Sequence, residues 1–294
     1  MHDIKLKRIL ERICCPVCKK NLNRKKNKLI CNKCNASYYI KQGIPEMMDD
    51  KSNQTYNRQP SYTDRNYSRK RFISKIGYKI LKKWDLIKIP HLYNQQIPSS
   101  CSKIIKDKFE DKHLFILHIG GRTKQKNNIF NLNIAPNKYI DIIADAHKLP
   151  FKNNSVDGVI IVGTLPLLKA QIVIEEIERV LKKEGLIYCT CSFLRPYQPD
   201  PIEIQRFTKE GLENLFSKFK ILECRSIHGP TTTLILVLQR YLPILFSFNN
   251  VYLYHVEYTI FSYLLWPFKY LDNLLHNHYR VDFISGGFCI IAKK

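Results

Sequence analysis

Four cysteines near the amino terminus have the spacing of a metal site. They form two Cys-x2-Cys pairs, Cys15 with Cys18 and Cys31 with Cys34, with twelve residues between the pairs. Each pair brings two thiolates to one ion, and the basic segment between the pairs closes as a hairpin. Four sulfurs complete a tetrahedral shell, so we expect a structural Zn²⁺ ion with no open position for an activated water.

The other cysteines do not repeat this spacing. Cys14 precedes the first pair, and the remaining five are scattered between positions 101 and 289. Cys14 leaves the register of the first pair open, although Pro16 favours Cys15 as the ligand because a knuckle turn accommodates proline. A segment of fewer than 50 residues buries too small a core to be stable alone. We therefore expect metal loss to unfold this segment and to leave the rest of the chain folded.

The composition is that of a globular and strongly basic protein. The 294 residues include 48 Lys and Arg against 25 Asp and Glu, which gives a net charge of +23, and 45% are hydrophobic. That apolar content excludes a disordered chain. The charge fits an anionic partner or a coding bias, since the lysines accompany many Asn and Ile. No signal peptide and no apolar run of roughly 20 residues occur, so the sequence predicts a cytoplasmic protein.

Strands and helices alternate beyond residue 113. The apolar run 114–119 ends in a glycine pair, and the run 159–162 ends in Gly-Thr. A helical stripe over 172–183 stops at a glycine before another apolar run, 186–189. This alternation predicts a doubly wound α/β sheet whose ligands bind at the carboxyl ends of the strands.

The chain divides into three parts. Residues 1–48 form the cysteine-rich segment, and residues 49–110 contain a polar linker, 49–66, followed by a basic amphipathic helix over 67–88. Residues 111–294 form the large domain, with a helical insertion at about 231–280. The amphipathic helix is expected to cover the large domain, with contact to anionic lipid or nucleic acid as the alternative.

Two stretches of the chain resemble known families. The segment 13–48, with its cysteine pairs, the strand SYYI and the turn GIP, is similar to zinc ribbons that activate tRNA and release-factor methyltransferases. Residues 111–230 and 286–294 resemble class I S-adenosylmethionine-dependent methyltransferases of the type 11 group. The motifs DIIADAHKLPF, DGVIIV, RVLKKEG and RFTKEGL occur in that family's order. The resemblance implies a Rossmann-like methyltransferase sheet, with S-adenosylmethionine as the cofactor and methyl transfer as the reaction.

The cofactor positions implied by the resemblance all follow strands: Gly120, Gly121, Asn133, Asp145, Ala146, Gly163 and Thr164. The glycine pair would let the backbone approach the methionine part, because a side chain would obstruct it. Asp145 would accept a hydrogen bond from the adenine amino group, unless it is an ordinary turn acid. Glu203 and Arg206 are implied on the substrate side, with capping of the next helix as the alternative role of Arg206. No catalytic residue is assigned.

Three positions depart from the family pattern. Arg122 replaces a small residue, Asn133 replaces the acid that clasps the ribose, and Pro166 lies where Glu is common. An amide still hydrogen-bonds a hydroxyl but lacks the charge that strengthens the contact. A degenerate, non-catalytic binding module therefore stays open as an alternative to an active enzyme.

The acceptor is the least determined feature. A lipid-linked, glycan or other small-molecule acceptor is favoured by analogy with the RFT-x-x-GL segment, and RNA or protein methylation is the alternative. Nucleic acid is not favoured, because the basic run 24–28 lacks interleaved aromatic residues. The aromatic insertion suits peripheral contact with an anionic membrane or a partner, or a lid over the sheet edge. The oligomeric state is not indicated.

Overall fold

The computed structural model describes residues 2–49, 90, 92, 109, 111–197, 201–275 and 277–294. Apart from residue 49, the predicted linker and the predicted amphipathic helix at 67–88 lie outside the described residues. The large domain and the cysteine-rich segment, hereafter the ribbon, contribute to one mixed sheet of eleven strands.

The described helices and strands are as follows. The helices are α1 His2–Leu10, α2 Ala170–Val180, α3 Lys209–Leu215, α4 Pro230–Phe246, α5 Val251–Leu265 and α6 Asp272–Leu275. The ribbon strands are β1 Leu22–Lys25, β2 Lys28–Cys31, β3 Ser37–Lys41 and β4 Ile44–Glu46. The remaining strands are β5 Ile116–Ile119, β6 Ile129–Asn133, β7 Ile142–Ile143, β8 Val156–Val162, β9 Leu181–Ser192, β10 Lys220–Ser226 and β11 Gly287–Lys293.

The strand order confirms the predicted α/β fold. The order is β1-β2-β3-β4-β7-β6-β5-β8-β9-β11-β10, and the stretch from β4 to β9 is parallel. The last two strands are antiparallel, so the large domain has a mixed, Rossmann-like sheet. Strand order reverses between β5 and β8, and in such sheets the crevice at this switch point is the ligand site.

The core of the large domain forms where both faces of the parallel strands are apolar. Helix α2 packs one side of the sheet with Ile174, Ile177 and Val180 of the predicted stripe and also with Val173. The predicted helix over 172–183 is too long at its end, because Leu181 already pairs with Val156 as the first residue of β9. The stripe was the correct part of that prediction, and the charged residues after it belong to a strand.

The connection between β5 and β6 contains no helix. Residues 120–128, all described, carry the chain back along β5, whereas a parallel crossover usually takes a dozen or more residues. Nine residues are enough for the connection to return along β5, because β5 is only four residues long. Two buried amides hold this short connection: Asn128 Nδ2 donates to the carbonyls of Phe109 and Asp111, each at 2.9 Å, and Asn131 Nδ2 donates to the Thr123 carbonyl at 2.8 Å.

The ribbon is an edge of the same sheet. Strand β4 pairs in parallel with β7, and the Met47 amide donates to the Ile143 carbonyl at 2.7 Å. The Cys14 amide donates to the Pro150 carbonyl at 2.9 Å, and Ile13 forms a bridge with Phe151. Apolar residues of α1 and the ribbon join the core of the large domain. We therefore revise the expectation that the ribbon would unfold alone, because its loss would expose this shared core.

The helical insertion lies between β10 and β11, as predicted, and spans α4, α5, α6 and two 3-10 turns, Trp266–Leu271 and Val281–Ile284. Leu92 packs against Ile235 and Leu236 on the inner side of α4. Among the described residues, no helix combines the length and the hydropathy needed to cross a membrane.

Candidate functional site

The four predicted metal ligands lie together at one end of the ribbon. Their Sγ atoms are all within 4.8 Å of one another, with Cys15 and Cys34 at 3.5 Å and Cys18 and Cys31 at 3.3 Å. Tetrahedral Zn²⁺ with Zn–S bonds of about 2.3 Å requires sulfur separations near 3.8 Å, so the donor set fits this ion. All four positions are filled by protein, which makes the site structural.

The surroundings of the cluster act differently on its thiols: hydrogen bonding and burial leave the pKa values of Cys18 and Cys34 raised, and the pKa of Cys31 is lowered. Burial raises the pKa of Cys31, but the backbone N–H groups of Cys34 and Lys33 outweigh it and lower that pKa to about 7. The Tyr38 hydroxyl lies 3.4 Å from Cys15 Sγ and is a donor to it when the sulfur is ionised. Cys14 lies outside the cluster and is buried, so the register with Cys15 is the one the structure adopts.

The switch point lies between the ends of β5 and β8, where a sheet of this topology is expected to form its ligand crevice. Gly120 has a φ of +82°, and a Cβ there would lie 2.1 Å from Thr164 Oγ1, so the two turns touch. Gly163 has a φ of +62°, and a Cβ built on it meets no atom within 4 Å. Glycine at this position therefore leaves open space that a side chain would fill, which fits a cofactor lying over the strand ends.

The other glycine of the pair has a different environment. A Cβ at Gly121 would lie 2.1 Å from Asn131 Oδ1 and 2.8 Å from His118 Nδ1. Gly121 thus lets the turn pack closely on these two side chains. Burial lowers the pKa of His118, so this imidazole is neutral near pH 7.

Two further predicted positions also lie at strand ends. Asn133, buried at the end of β6, accepts a hydrogen bond from the Ala135 amide at 3.2 Å. Asp145 follows β7 and caps the 3-10 turn Ala146–Lys148, where its Oδ1 accepts from the His147 amide at 2.9 Å. Asp145 thus has the structural role in a turn that the sequence analysis gave as the alternative. Contact of Asp145 with adenine stays a prediction.

His147 orients the Asp145 carboxylate. His147 Nδ1 is 2.7 Å from Asp145 Oδ1, and His147 Nε2 accepts from the Lys169 amide at 3.0 Å. Because Nε2 is an acceptor, the proton resides on Nδ1 and is donated to the carboxylate. The turn after β7 is thereby tied to the start of α2.

The predicted substrate-side pair lies beside the crevice in the segment before α3. The Ile204 amide donates to the Pro166 carbonyl at 3.0 Å, which seats this segment on the turn after β8. The Arg206 guanidinium uses all five N–H groups within the protein; its acceptors are the Glu203 carboxylate and the carbonyls of Phe193, Arg195 and Pro196. Arg206 thus holds the segment after β9, and direct contact of either residue with substrate stays a prediction.

Contacts between the ribbon and the turns of the crevice were not visible in the sequence. Lys148, in the turn capped by Asp145, pairs at 2.6 Å with Asp49, the residue that directly follows the ribbon. Glu176 of α2 pairs with Arg179 and with Lys19 of the ribbon, each at 2.8 Å. These partners lie up to 157 residues apart, and no local pattern predicts such pairs.

Comparison with known proteins gives two matches to family models. The model described as "Methyltransferase domain" matches residues 122–189, and the model described as "Trm112p-like protein" matches residues 7–43. A UPF0434 protein of Methylobacillus flagellatus is 45% identical over 47 residues, which are 15% of this chain and 78% of that protein.

Two solved structures are similar to this chain at low sequence identity and low TM-score. Phosphoethanolamine N-methyltransferase 2 of Haemonchus contortus, in complex with S-adenosyl-L-methionine, is 13% identical with a TM-score of 0.40, over 66% of this chain and 51% of that one. A SAM-dependent methyltransferase from Aquifex aeolicus is 11% identical with a TM-score of 0.33, over 43% of this chain and 82% of that one.

Proposed function

We propose that this chain methylates a lipid-linked or similar amphiphilic small molecule. The chain belongs to the Trm112p-like UPF0434 family through its ribbon, and its large domain is that of an S-adenosylmethionine-dependent methyltransferase. The reaction class follows from the methyltransferase domain. The acceptor class is our inference, and it is argued from the edge of the sheet at which the insertion emerges.

The residues that would hold the cofactor are those at the ends of the parallel strands. Gly163 would leave room for it beside the turn in which Gly120 packs on Thr164, the Asn133 amide would hydrogen-bond a ribose hydroxyl, and Asp145 would contact the adenine amino group. When bound, S-adenosylmethionine supplies a methyl group already activated by a sulfonium. The protein then chiefly has to align the acceptor, which is worth up to roughly 7–11 kcal/mol.

One observation carries the proposed acceptor class: the insertion emerges from the sheet at the edge that holds the crevice. The end of β9, Ser192, pairs with the first residue of β11, Gly287. The end of β10, Ser226, pairs with Phe288. Both connections of the insertion therefore begin where the parallel strands end, and the insertion carries many exposed apolar side chains. An acceptor with an apolar anchor is the class that such a neighbourhood accommodates.

A second candidate is RNA, favoured by one contact on the ribbon. Cross-strand pairing sets Lys28 beside Tyr39, with Lys28 Nζ 5.5 Å from the centre of that exposed ring. An aromatic ring among cations is a stacking platform for bases. The basic run 24–28 thus has an aromatic neighbour that its linear sequence does not show.

The experiment is a methyl transfer assay with labelled S-adenosylmethionine and the zinc-loaded full chain. Total lipid extract, RNA and denatured protein are offered as separate acceptor fractions. We expect label in the lipid fraction, and none from a Gly163→Leu variant. Label confined to RNA or protein contradicts the acceptor class, and cofactor binding without transfer to any fraction would favour a non-catalytic module.

A further inference from the structure

The outward face of α4 is apolar, which is the reverse of an ordinary surface helix. Its inner face buries Ile235, Leu236, Gln239 and Pro243. Five residues on the opposite side are 46% to 66% exposed, namely Leu234, Val237, Tyr241, Ile244 and Leu245, and Phe248, which is 86% exposed, follows in the turn after the helix. A solvent-facing stripe normally carries charged or polar residues. We call these six residues the outer stripe.

Helix α5 continues this apolar surface. Ser262, which accepts a hydrogen bond from Gln239 of α4 at 2.7 Å, is the single buried residue among the fifteen of α5, all of them described. Ile260, Tyr263 and Leu264 are exposed. From Tyr241 to Val256 the hairpin carries no Asp, Glu, Lys or Arg. A helix pair that is apolar on nearly every side requires a partner surface.

The acidic residues of the insertion are buried or paired within the protein. Asp272 is fully buried and accepts hydrogen bonds from the first amides of α4, at Thr231 and Thr232. Asp282 pairs with Lys209 at 2.8 Å. The third acid, Glu257, has a buried carboxylate oxygen.

The cations of the insertion remain near aromatic rings at its surface. Lys269 Nζ lies 5.4 Å from the Trp266 ring and 5.2 Å from the Tyr270 ring. The Arg280 guanidinium lies 5.2 Å from the exposed Tyr279 ring. Aromatic rings with adjacent Lys and Arg suit the head-group region of an anionic bilayer.

We infer that the outer stripe and the adjoining 3-10 turn Trp266–Leu271 dock on an anionic membrane surface. The apolar side chains enter the boundary between head groups and acyl chains, and Lys269 and Arg280 contact the anionic head groups. The binding is peripheral, because no described helix is long and apolar enough to span. A second copy of this chain fits less well, since its face would present the same cations and the chain carries a net charge of +23.

The test is co-sedimentation of the zinc-loaded chain with vesicles of phosphatidylcholine alone and of phosphatidylcholine with 30% phosphatidylglycerol, without cofactor. Ile244→Asn is the test variant. Ile4→Asn is the matched control, because Ile4 in α1 is 69% exposed and Ile244 is 66% exposed. Both side chains are on the surface, so both variants retain the fold, which circular dichroism checks.

We expect binding to the anionic vesicles that weakens as salt is raised, at least fivefold weaker binding for Ile244→Asn, and unchanged binding for Ile4→Asn. Lys269→Gln is expected to weaken binding to the anionic vesicles only. Equal loss in the two Asn variants, or no vesicle binding by the wild-type chain, would overturn the inference. A dimer in sedimentation velocity that Ile244→Asn dissociates, without vesicle binding, would assign the surface to a second copy. The outcome is independent of the methyl transfer assay.

Discussion

Lys5 ties the amino-terminal helix α1 to the centre of the sheet. Its Nζ lies 3.1 Å from both carboxylate oxygens of Asp141 and 2.9 Å from the Ile129 carbonyl oxygen. The Asp141 carboxylate also accepts a hydrogen bond from the backbone N–H of Asn131 at 2.8 Å. Both charged side chains are largely buried, at 15% and 8% exposure. The pair therefore joins the ribbon side of the protein to the strand that ends at the crevice.

Replacing Lys5 by Met keeps the apolar stem and removes the charge. Asp141 is then left as a buried carboxylate without its cation. Removing one partner of a buried pair costs roughly 3–5 kcal/mol, and the residual exposure of Lys5 sets the expectation at the lower end, about 3 kcal/mol. In thermal unfolding this corresponds to a fall in Tm of roughly 6–12 °C.

A double-mutant cycle separates the pair from its surroundings. Asp141→Asn removes the charge but keeps an oxygen that accepts from the Asn131 amide. Lys5→Met with Asp141→Asn should cost only about 1–2 kcal/mol, because no uncompensated charge remains. The assay is urea unfolding of the zinc-loaded chain followed by circular dichroism. A Lys5→Met cost below about 0.5 kcal/mol, or strict additivity of the two substitutions, would refute the reasoning.

Three other predictions concern the ribbon and the insertion. Cys31→Ser, or zinc chelation, should lower the Tm of the whole chain and the hydrogen-exchange protection of β6 and β7; a shift confined to ribbon amides would contradict the shared core. Burial raises the pKa of Glu176, but hydrogen bonds from Arg179 and Lys19 outweigh it and lower the net value. The stabilisation that ionised Glu176 provides is therefore present above the ordinary carboxyl pKa and is lost on acidification. The difference in unfolding free energy between wild type and Glu176→Gln should shrink from pH 6 to pH 3. A difference that stays constant over this range refutes the prediction. Gly229→Ala places a Cβ 2.2 Å from Asp272 Cγ, and limited proteolysis should cut the insertion faster, with a cost of about 1–3 kcal/mol; an unchanged cleavage rate argues against the clash.

The parts of the fold that the sequence predicts are those with a short repeat. The Cys-x2-Cys spacing predicts the metal cluster because four ligands must meet one ion. Continuous apolar runs predict β5 and β8, since both faces of a central parallel strand are buried. The end of α2 was misplaced because charged residues fit a helix terminus as well as the exposed start of β9.

The parts that sequence does not predict depend on distant partners. The pairing of β4 with β7 involves a single register pair, Glu46 with Ile143, and both strands are too short for the sequence pattern to predict it. Three of the five donors of Arg206 bind carbonyls of the segment after β9 and two bind the Glu203 carboxylate, so its role could not be predicted from the RFT motif. The sequence pattern also does not identify the outer stripe of α4, because a helix that is apolar on nearly all sides does not show which side is buried.

Cofactor binding at the crevice is the central claim, and two glycines allow a matched test. Gly163 and Gly43 both have a positive φ, +62° and +79°, and a Cβ on either meets no protein atom within 4 Å. Leucine at either position therefore adds similar backbone strain, but only position 163 lies at the carboxyl ends of the parallel strands, whereas Gly43 lies in the β3–β4 hairpin of the ribbon. Isothermal titration of S-adenosylmethionine into the zinc-loaded chain should show binding to wild type and Gly43→Leu, and at least tenfold weaker binding to Gly163→Leu. No binding to wild type, or equal affinity of the two variants, would contradict the account.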